Sequence, residues 1–521
     1  MATMQEVIPL LSSSTAIITP GASPAAISFR SLSKQVNSVR SFLSSLALSP
    51  QSAVAIALEN SLEFAIVFFA VTYSGFVAAP LNPALKQSEF EFYLQDLKCP
   101  VAFVATKENE AVVKAAGKIG KFVEGGNVNI FTISAGDEVT VSGLDGKKVM
   151  PTGWKGKVQD AKADDVALVL HTSGTTGRPK VVPLTHLNLT TSIRNIIQTY
   201  RLTPSDTSLL VMPLFHVHGL LCGFLAPFAV SATVIVPPRF SASSFWHDFV
   251  EYKATWYTAV PTIHQILLKS AAAPEPLPKI RFIRSCSSAL APSTMRSLEE
   301  RFHAPVIEAY AMTEEQASHQ MTSNELPPGK RKPTSVGKPQ GSVSIKILDQ
   351  DGNEVAGGQE GEICVKGGNV TKGYRNNNLA NESSFTKSGY FRTGDQGKVD
   401  EDGFVFITGR IKELINRGGE KISPVELDGV LLEHGAVAEA VAFAVPDEMY
   451  GQEVQAAVVL KADGKNVTEQ DIKDFVAERV AKFKVPKKIY FTKVMPKTAT
   501  GKIQRKNIAD KFFKPQSQAK L

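Results

Sequence analysis

Thr172-Ser173-Gly174-Thr175-Thr176-Gly177-Arg178-Pro179-Lys180 lies one residue beyond the apolar run Val166-Ala167-Leu168-Val169-Leu170. The apolar run reads as a buried strand, so the loop behind it is held at a strand end. Its glycines let backbone N–H groups approach an anion, its Ser and Thr hydroxyls donate hydrogen bonds, and its cations offset negative charge. Polyphosphate suits that combination. The plain alternative is a surface turn between two strands, and nine residues of this composition favour phosphate over it. The loop is not of the Walker type, because no Gly-Lys-Ser/Thr closes it and Pro179 precedes the lysine.

Outward from this loop, strand-like and helix-like segments alternate through the first 270 residues, which implies α/β architecture with covered sheets. Val101–Ala105, Leu209–Met212 and Thr233–Val236 read as short buried strands. Between Lys330 and Gly368 the texture changes to β-prone runs separated by Asp351-Gly352 and Gly357-Gly358, and residues 403–407 continue it. A small β-rich subdomain over about 330–409 follows. Beyond Arg410 the chain reads as a compact α+β unit, with helices over Glu426–His434 and Glu469–Phe483. Its strands are Ala438–Val445, Val454–Leu460 and Lys488–Phe491.

A chain of 521 residues is too long for one ordinary core. Hydrophobic residues make up 43% and charged residues 21%, the balance of a globular protein rather than a disordered or fibrous one. Cys99, Cys222, Cys286 and Cys364 are scattered without metal-ligand spacing, so a reducing compartment without structural disulfides is expected. The N-terminus lacks the basic start and apolar run of a secretory signal. The most apolar stretch, Phe64–Ala79, is broken by Thr72-Tyr73-Ser74-Gly75 and reads as a buried helix then a strand, with no transmembrane segment. Ala519-Lys520-Leu521 is akin to the Ser-Lys-Leu peroxisomal address, so the expected location is cytosol or peroxisome, the latter through the import receptor.

Net charge is +7, and residues 479–506 hold ten Lys or Arg with no Asp or Glu. That run is either a face for a phosphorylated ligand or a solvated surface. Phe483, Tyr490 and Phe491 interleave with it, which raises nucleic acid. Their positions at a helix end and a strand suit core residues better, so no nucleic-acid partner is expected.

The nine-residue loop resembles the phosphate-binding loop of the adenylate-forming, or acyl-activating, enzymes. Four more segments match that family in order: Tyr310-Ala311-Met312-Thr313-Glu314, Tyr390-Phe391-Arg392-Thr393-Gly394-Asp395, Thr408-Gly409-Arg410-Ile411-Lys412-Glu413, and Pro496-Lys497-Thr498-Ala499-Thr500-Gly501-Lys502. The resemblance implies a large N-terminal domain of αβ-layered sheets over residues 1–409 that includes the β-rich subdomain. It also implies a hinge over 410–412 centred on Lys412, and a mobile α+β lid over 413–521. The family reaction joins a carboxylate to the α-phosphate of ATP, releasing pyrophosphate, and a thiol then displaces AMP.

Carried over by motif, Thr172, Ser173, Gly174, Thr175, Thr176, Gly177 and Lys180 would hold phosphates. Ser288, Ala289, Glu308, Ala309 and Tyr310 would wall the adenine, and Asp395 and Arg410 would meet the ribose hydroxyls. Thr313 would contact the α-phosphate, Glu314 would ligate Mg²⁺, a hard cation suited to a carboxylate, and Lys502 would bridge carboxylate and α-phosphate. Gly418, Gly419, Glu420 and Lys421, together with His218, would receive CoA. With 19 residues after Lys502 there is no carrier domain, so a free thiol such as CoA is the expected acceptor.

Departures from the family pattern bear on the acid. Ala311 replaces the usual Gly, and Ser285-Cys286-Ser287-Ser288-Ala289 replaces a glycine-rich stretch, so the wall gains bulk and polarity and a long or planar acid is disfavoured. His216, His218 and His319 with Arg284 and Ser287 make a polar, anion-binding wall. His216-x-His218 lacks further ligands at metal spacing. A second carboxylate needs such donors, because burying it unpaired is costly. The run Met312–Asn324 resembles that of the plant and fungal oxalate–CoA ligases, a subgroup often named 4-coumarate–CoA-ligase-like. It implies oxalate and CoA giving oxalyl-CoA with AMP and pyrophosphate, with 4-coumarate or a medium-chain fatty acid as the alternative acid. From another class, a non-catalytic nucleotide-binding scaffold or RNA-binding protein remains, against which the presence of Lys502 and Glu314 argues.

Overall fold

The computed structural model describes residues 2–105, 109–119, 128–149, 160–171, 179–270, 273–312, 321–461, 464, 466–497 and 503–512. Two large sheets form the body. A seven-stranded sheet runs in space 140–143, 129–134, 101–104, 53–57, 77–80, 166–171, 181–185, with its central strands parallel. A nine-stranded sheet carries the parallel series 233–235, 207–209, 256–259, 282–285, 306–310 at its heart. The α/β architecture with covered sheets is what the alternating elements imply.

The packing follows from sequence. Helix Leu62–Tyr73 is capped by the Ser61 hydroxyl, which accepts from Phe64 N–H at 3.1 Å. Ten consecutive residues of it, Phe64–Tyr73, are buried, so the helix is apolar all round and lies inside the body. Val77–Pro80 continues it as a strand, as the broken apolar stretch implies. Helix His186–Tyr200 begins at a reciprocal Thr185/Asn188 capping box and ends at Arg201 in the left-handed region. Its last residue, Tyr200, is fully buried.

Strands 344–348, 361–366, 391–399 and 405–410 form a separate antiparallel four-stranded sheet in the β-prone stretch. Beyond it, strands 415–417, 420–422, 437–447, 451–460 and 488–491 make a third sheet with its own apolar cluster. Helices Pro424–Glu433 and Glu469–Ala477 belong to this unit.

Three expectations need correction. The helix expected over Glu469–Phe483 ends at Ala477, and Lys482–Lys484 is a separate 3₁₀ turn. Arg479 donates back to Phe475 O at 2.8 Å, and Val480 and Phe483 still pack on the lid core although the helix has ended. The strand expected over Leu209–Met212 covers Thr207–Leu209, since the chain leaves the sheet before Pro213. Phe491, expected in the core, is 44% exposed at the end of its strand.

Four of the ten cations of the basic run pair with acids well before it in the chain. Lys484 meets Glu426 at 2.8 Å, Lys487 meets Asp447 at 3.1 Å, Lys497 meets Glu439 at 2.8 Å and Arg505 meets Asp428 at 2.8 Å. Those acids lie outside the run in sequence, which is why the run alone overstates the basic field. All four cysteines are free and buried. No helix among the described residues is long and apolar enough to cross a membrane.

Candidate active site

The central strands Phe282–Ser285 and Val306–Tyr310 pair in parallel, with Ser285 opposite Glu308. Their C-terminal ends carry Ser287–Ala289 and Tyr310–Met312, the carboxyl edge where open α/β sheets place ligands. Ser288 and Ala289 are exposed, Ala309 and Tyr310 buried, and Ala311 half-buried.

Glu308 is 6% exposed and its Oε2 lacks a hydrogen-bond partner. Burial pushes its carboxyl up to about 8, against the pull of the Leu290 and Thr334 backbone N–H groups. Ser285 Oγ, on the neighbouring strand, is also buried without a partner. A protonated Glu308 carries both a donor and acceptors, so this edge, part of the expected adenine wall, offers hydrogen-bonding capacity.

Tyr310 O–H donates to Asp395 Oδ2, and Arg410 Nε reaches the other carboxylate oxygen at 3.1 Å. Asp395 and Arg410 face each other across strands 391–399 and 405–410. The expected ribose pair is therefore a cross-strand ion pair, tied to the adenine wall through Tyr310. Sequence motifs give both members but not the tyrosine bond that joins them. Lys180 lies over the Tyr374 ring with Nζ at 4.4 Å from its centre.

The acid side is deeper. Arg284 is fully buried, and its Nε donates to Tyr200 Oη at 2.8 Å while Nη1 reaches Thr258 Oγ1 and His218 Nε2, each at 3.2 Å. His218 Nε2 lies 2.6 Å from Thr258 Oγ1, and Nδ1 lies 3.1 Å from Ser287 Oγ. His216 is half-buried, and its Nδ1 accepts from His218 N–H at 3.2 Å. The structure thus brings Arg284, His216, His218 and Ser287 together. Of the two places expected for His218, the CoA side and the anion-binding wall, its contacts are with the wall residues Arg284 and Ser287, and its imidazole is fully buried there. Tyr200 and Thr258 were missed: each sits on an ordinary helix or strand, and only the fold brings them to Arg284.

In the lid, Gly418 and Gly419 form the two-residue turn between strands 415–417 and 420–422, with φ of +59° and +97°. Both positive values are those of a type I′ hairpin turn, which favours glycine twice. A Cβ on Gly418 would stand 3.2 Å from Tyr450 Cδ1. Arg417 grips Glu453 through two bonds of 2.6 and 3.0 Å and stacks on the Tyr450 ring at 3.9 Å. Glu420 and Lys421 are exposed, as is Lys412 in the turn Ile411–Glu413 that joins body and lid.

Thr172–Gly177, Thr313, Glu314, His319, Lys502 and Ala519–Leu521 lie outside the described residues. Among the described residues no cluster of His, Cys, Asp or Glu could hold a metal by itself. That is compatible with Mg²⁺ bound chiefly by a nucleotide's phosphates, which needs only one or two protein carboxylates.

The AMP-binding enzyme family model matches residues 12–375, and the model of the AMP-binding enzyme C-terminal domain matches 426–502. An oxalate–CoA ligase of Saccharomyces cerevisiae is 51% identical over 483 residues, covering 90% of this chain and 88% of that protein. An oxalate–CoA ligase of Arabidopsis thaliana is 49% identical over 476 residues, covering 90% of each. The ATP-bound crystal structure of MatB from Rhodopseudomonas palustris superposes with a TM-score of 0.87 at 29% identity, covering 98% of this chain and 99% of that one.

Proposed function

This chain belongs to the AMP-binding enzyme family, and from that premise we propose that it activates oxalate. It is an ATP-dependent carboxylate–CoA ligase. One oxalate carboxylate attacks the α-phosphate of ATP, pyrophosphate leaves, and the CoA thiol then displaces AMP to give oxalyl-CoA. The observation that carries the choice of acid is the fully buried Arg284, linked through His218 to Ser287 at the end of strand Phe282–Ser285. A long aliphatic or planar aryl acid has no use for that polarity, whereas a second carboxylate demands donors.

Each side chain has a defined task in this reading. The loop Thr172–Lys180 cradles phosphates, with the Lys180 ammonium offsetting their charge. Asp395 and Arg410 meet the ribose hydroxyls, and Tyr310 holds Asp395 in place. Glu314 is the proposed carboxylate for Mg²⁺, which would neutralise phosphate charge when bound. Lys502 brings an ammonium to the carboxylate and α-phosphate oxygens, where charge is greatest in the transition state. Gly418, Gly419, Glu420 and Lys421 present a low-profile edge to the pantetheine arm. Ala519-Lys520-Leu521 is the proposed peroxisomal address, and its deletion should leave the protein in the cytosol.

The test is product analysis with purified protein, ATP, Mg²⁺, CoA and oxalate. Equal amounts of AMP, pyrophosphate and oxalyl-CoA are expected. ADP formation would refute the chemistry, and failure with oxalate but turnover of another acid would refute the substrate.

A further inference from the structure

We infer that Arg284 acts on the acid substrate at one remove, by fixing Ser287 as a hydrogen-bond donor into the acid pocket. The inference rests on the proposed placing of Ser287 at that pocket and deepens it by stating which group of the substrate the serine recognises.

A guanidinium has only donors to offer. Arg284 Nη1 stands 3.2 Å from both Thr258 Oγ1 and His218 Nε2, so each must accept. With an N–H of Arg284 facing it, Nε2 carries no hydrogen. The Thr258 hydroxyl accepts from Arg284 and, 2.6 Å from Nε2, shares that nitrogen's single lone pair with the Arg284 N–H in a three-centre bond. His218 therefore bears its hydrogen on Nδ1, and that N–H donates to Ser287 Oγ at 3.1 Å. Such tautomers follow from the network, and here one member of the network cannot change its polarity.

With Oγ already accepting from His218, the Ser287 hydroxyl has its hydrogen left to give, and no other hydrogen bond of Ser287 Oγ falls among the described residues. The backbone of Ser287 has φ +74°, in the left-handed region a non-glycine residue rarely adopts. Such strain persists where the surroundings over-determine it, and the bond to the buried His218 is one such tie. Arg284 and Thr258 are fixed by strand pairing, because Thr258 and Arg284 are register partners on neighbouring parallel strands. Arg284 is also anchored by Tyr200, the last residue of helix His186–Tyr200.

The relay runs from Arg284 to Thr258 and His218, then to Ser287, and ends in a donor. Its ligand is an acceptor oxygen: a carboxylate or carbonyl of the acid, not a methyl or an aromatic C–H. His218 and Arg284 are positioning residues, and Ser287 is the group that touches substrate.

The direct test is nitrogen spectroscopy of protein with labelled histidine, with the His218 signals identified by their loss in His218→Gln. The relay predicts a protonated Nδ1 and a bare Nε2 in the ligand-free wild type, and the opposite tautomer overturns it. Kinetics supply the second arm. Ser287→Ala should raise KM for oxalate about ten- to hundred-fold, the range for losing a hydrogen bond to a charged group. Its effect on acetate should stay within about two-fold, since acetate lacks the second acceptor group, and kcat should change far less than KM.

The effect of His218→Gln on oxalate should largely vanish in a Ser287→Ala background, because both act through one hydroxyl. Additive losses would mean that His218 is merely structural and would overturn the relay. An unchanged oxalate KM in Ser287→Ala, with wild type turning over oxalate, sinks the serine's role alone. Failure of wild type to use oxalate sinks the substrate reading, while the tautomer measurement still decides the relay. Should His218→Gln not fold, Thr258→Val, which deletes the donor to Nε2 from the strand side, identifies the same resonance by its shift.

Discussion

The proposed acid wall of the body and the glycine turn of the lid are built in opposite ways. Arg284 and His218 are fully buried and held by bonds from three separate elements. Gly418, Gly419, Glu420 and Lys421 are exposed on one hairpin, whose shape is set locally by two positive φ angles and by Tyr450 beneath. A rigid interior can discriminate between acids, since a mismatched group there loses hydrogen bonds without water to replace them. An exposed turn discriminates little and is suited to approach and withdraw. On the proposed reading, acid choice belongs to the body, and the lid serves the alternation between adenylation and thiol attack.

Four variants can break or sharpen that contrast. The largest effect should come from Lys502→Ala, where loss of one preorganised cation lowers pyrophosphate release on the order of 10²- to 10³-fold. Thioester formation from a supplied acyl-adenylate should survive within a few-fold, and equal loss in both assays would deny the lid its division of labour. Next, His319→Ala should weaken oxalate about tenfold while sparing a monocarboxylate. Kinetics on both acids check this, and unchanged oxalate use removes His319 from the wall.

Gly418→Ala comes third. It puts a Cβ in the left-handed region, 3.2 Å from Tyr450, so thioester formation should fall several-fold up to about tenfold. Stopped-flow pyrophosphate release should be unaffected.

The smallest effect is one of stability. The Glu308 carboxyl is raised from 4.5 to about 8 in the fold, so the native state binds more protons than the unfolded chain between those values. Its contribution is whole below about 4.5 and is lost as pH rises through about 8. Glu308→Gln should therefore raise the melting temperature by a few degrees at pH 9 and by almost nothing at pH 5. A pH-independent shift would mean that the carboxyl is ionised throughout.

What the sequence discloses follows the same division. The Gly418-Gly419 turn and the Asp395–Arg410 pair are found where short local patterns put them, whereas the loop Thr172–Gly177 lies outside the described residues. Asp395 and Arg410 are 15 positions apart yet meet across one hairpin of the four-stranded sheet. Arg284 is recognisable as a cation near the pocket, but Tyr200, 84 residues away, and Thr258, 26 away, carry no mark of their attachment to it. His218 in Pro-Leu-Phe-His-Val-His-Gly is open to both the CoA side and the anion-binding wall by sequence, and its buried bonds to Arg284 and Ser287 are what distinguish the two. The end of helix Glu469–Ala477 is hidden because Ile472, Val476, Val480 and Phe483 keep helical spacing and all pack on one core, so the apolar period runs on past the last helical residue.

The central claim is that the buried polar wall selects a small diacid. The most direct measurement is kcat/KM for CoA-thioester formation with oxalate, malonate, acetate, hexanoate and 4-coumarate on one preparation of wild-type protein. The account predicts that oxalate leads by at least about a hundredfold over the monocarboxylates, the discrimination expected when buried donors lose their partner. Preference for 4-coumarate or hexanoate would keep the enzyme a CoA ligase and contradict the assignment of Arg284, His218 and Ser287 to the acid.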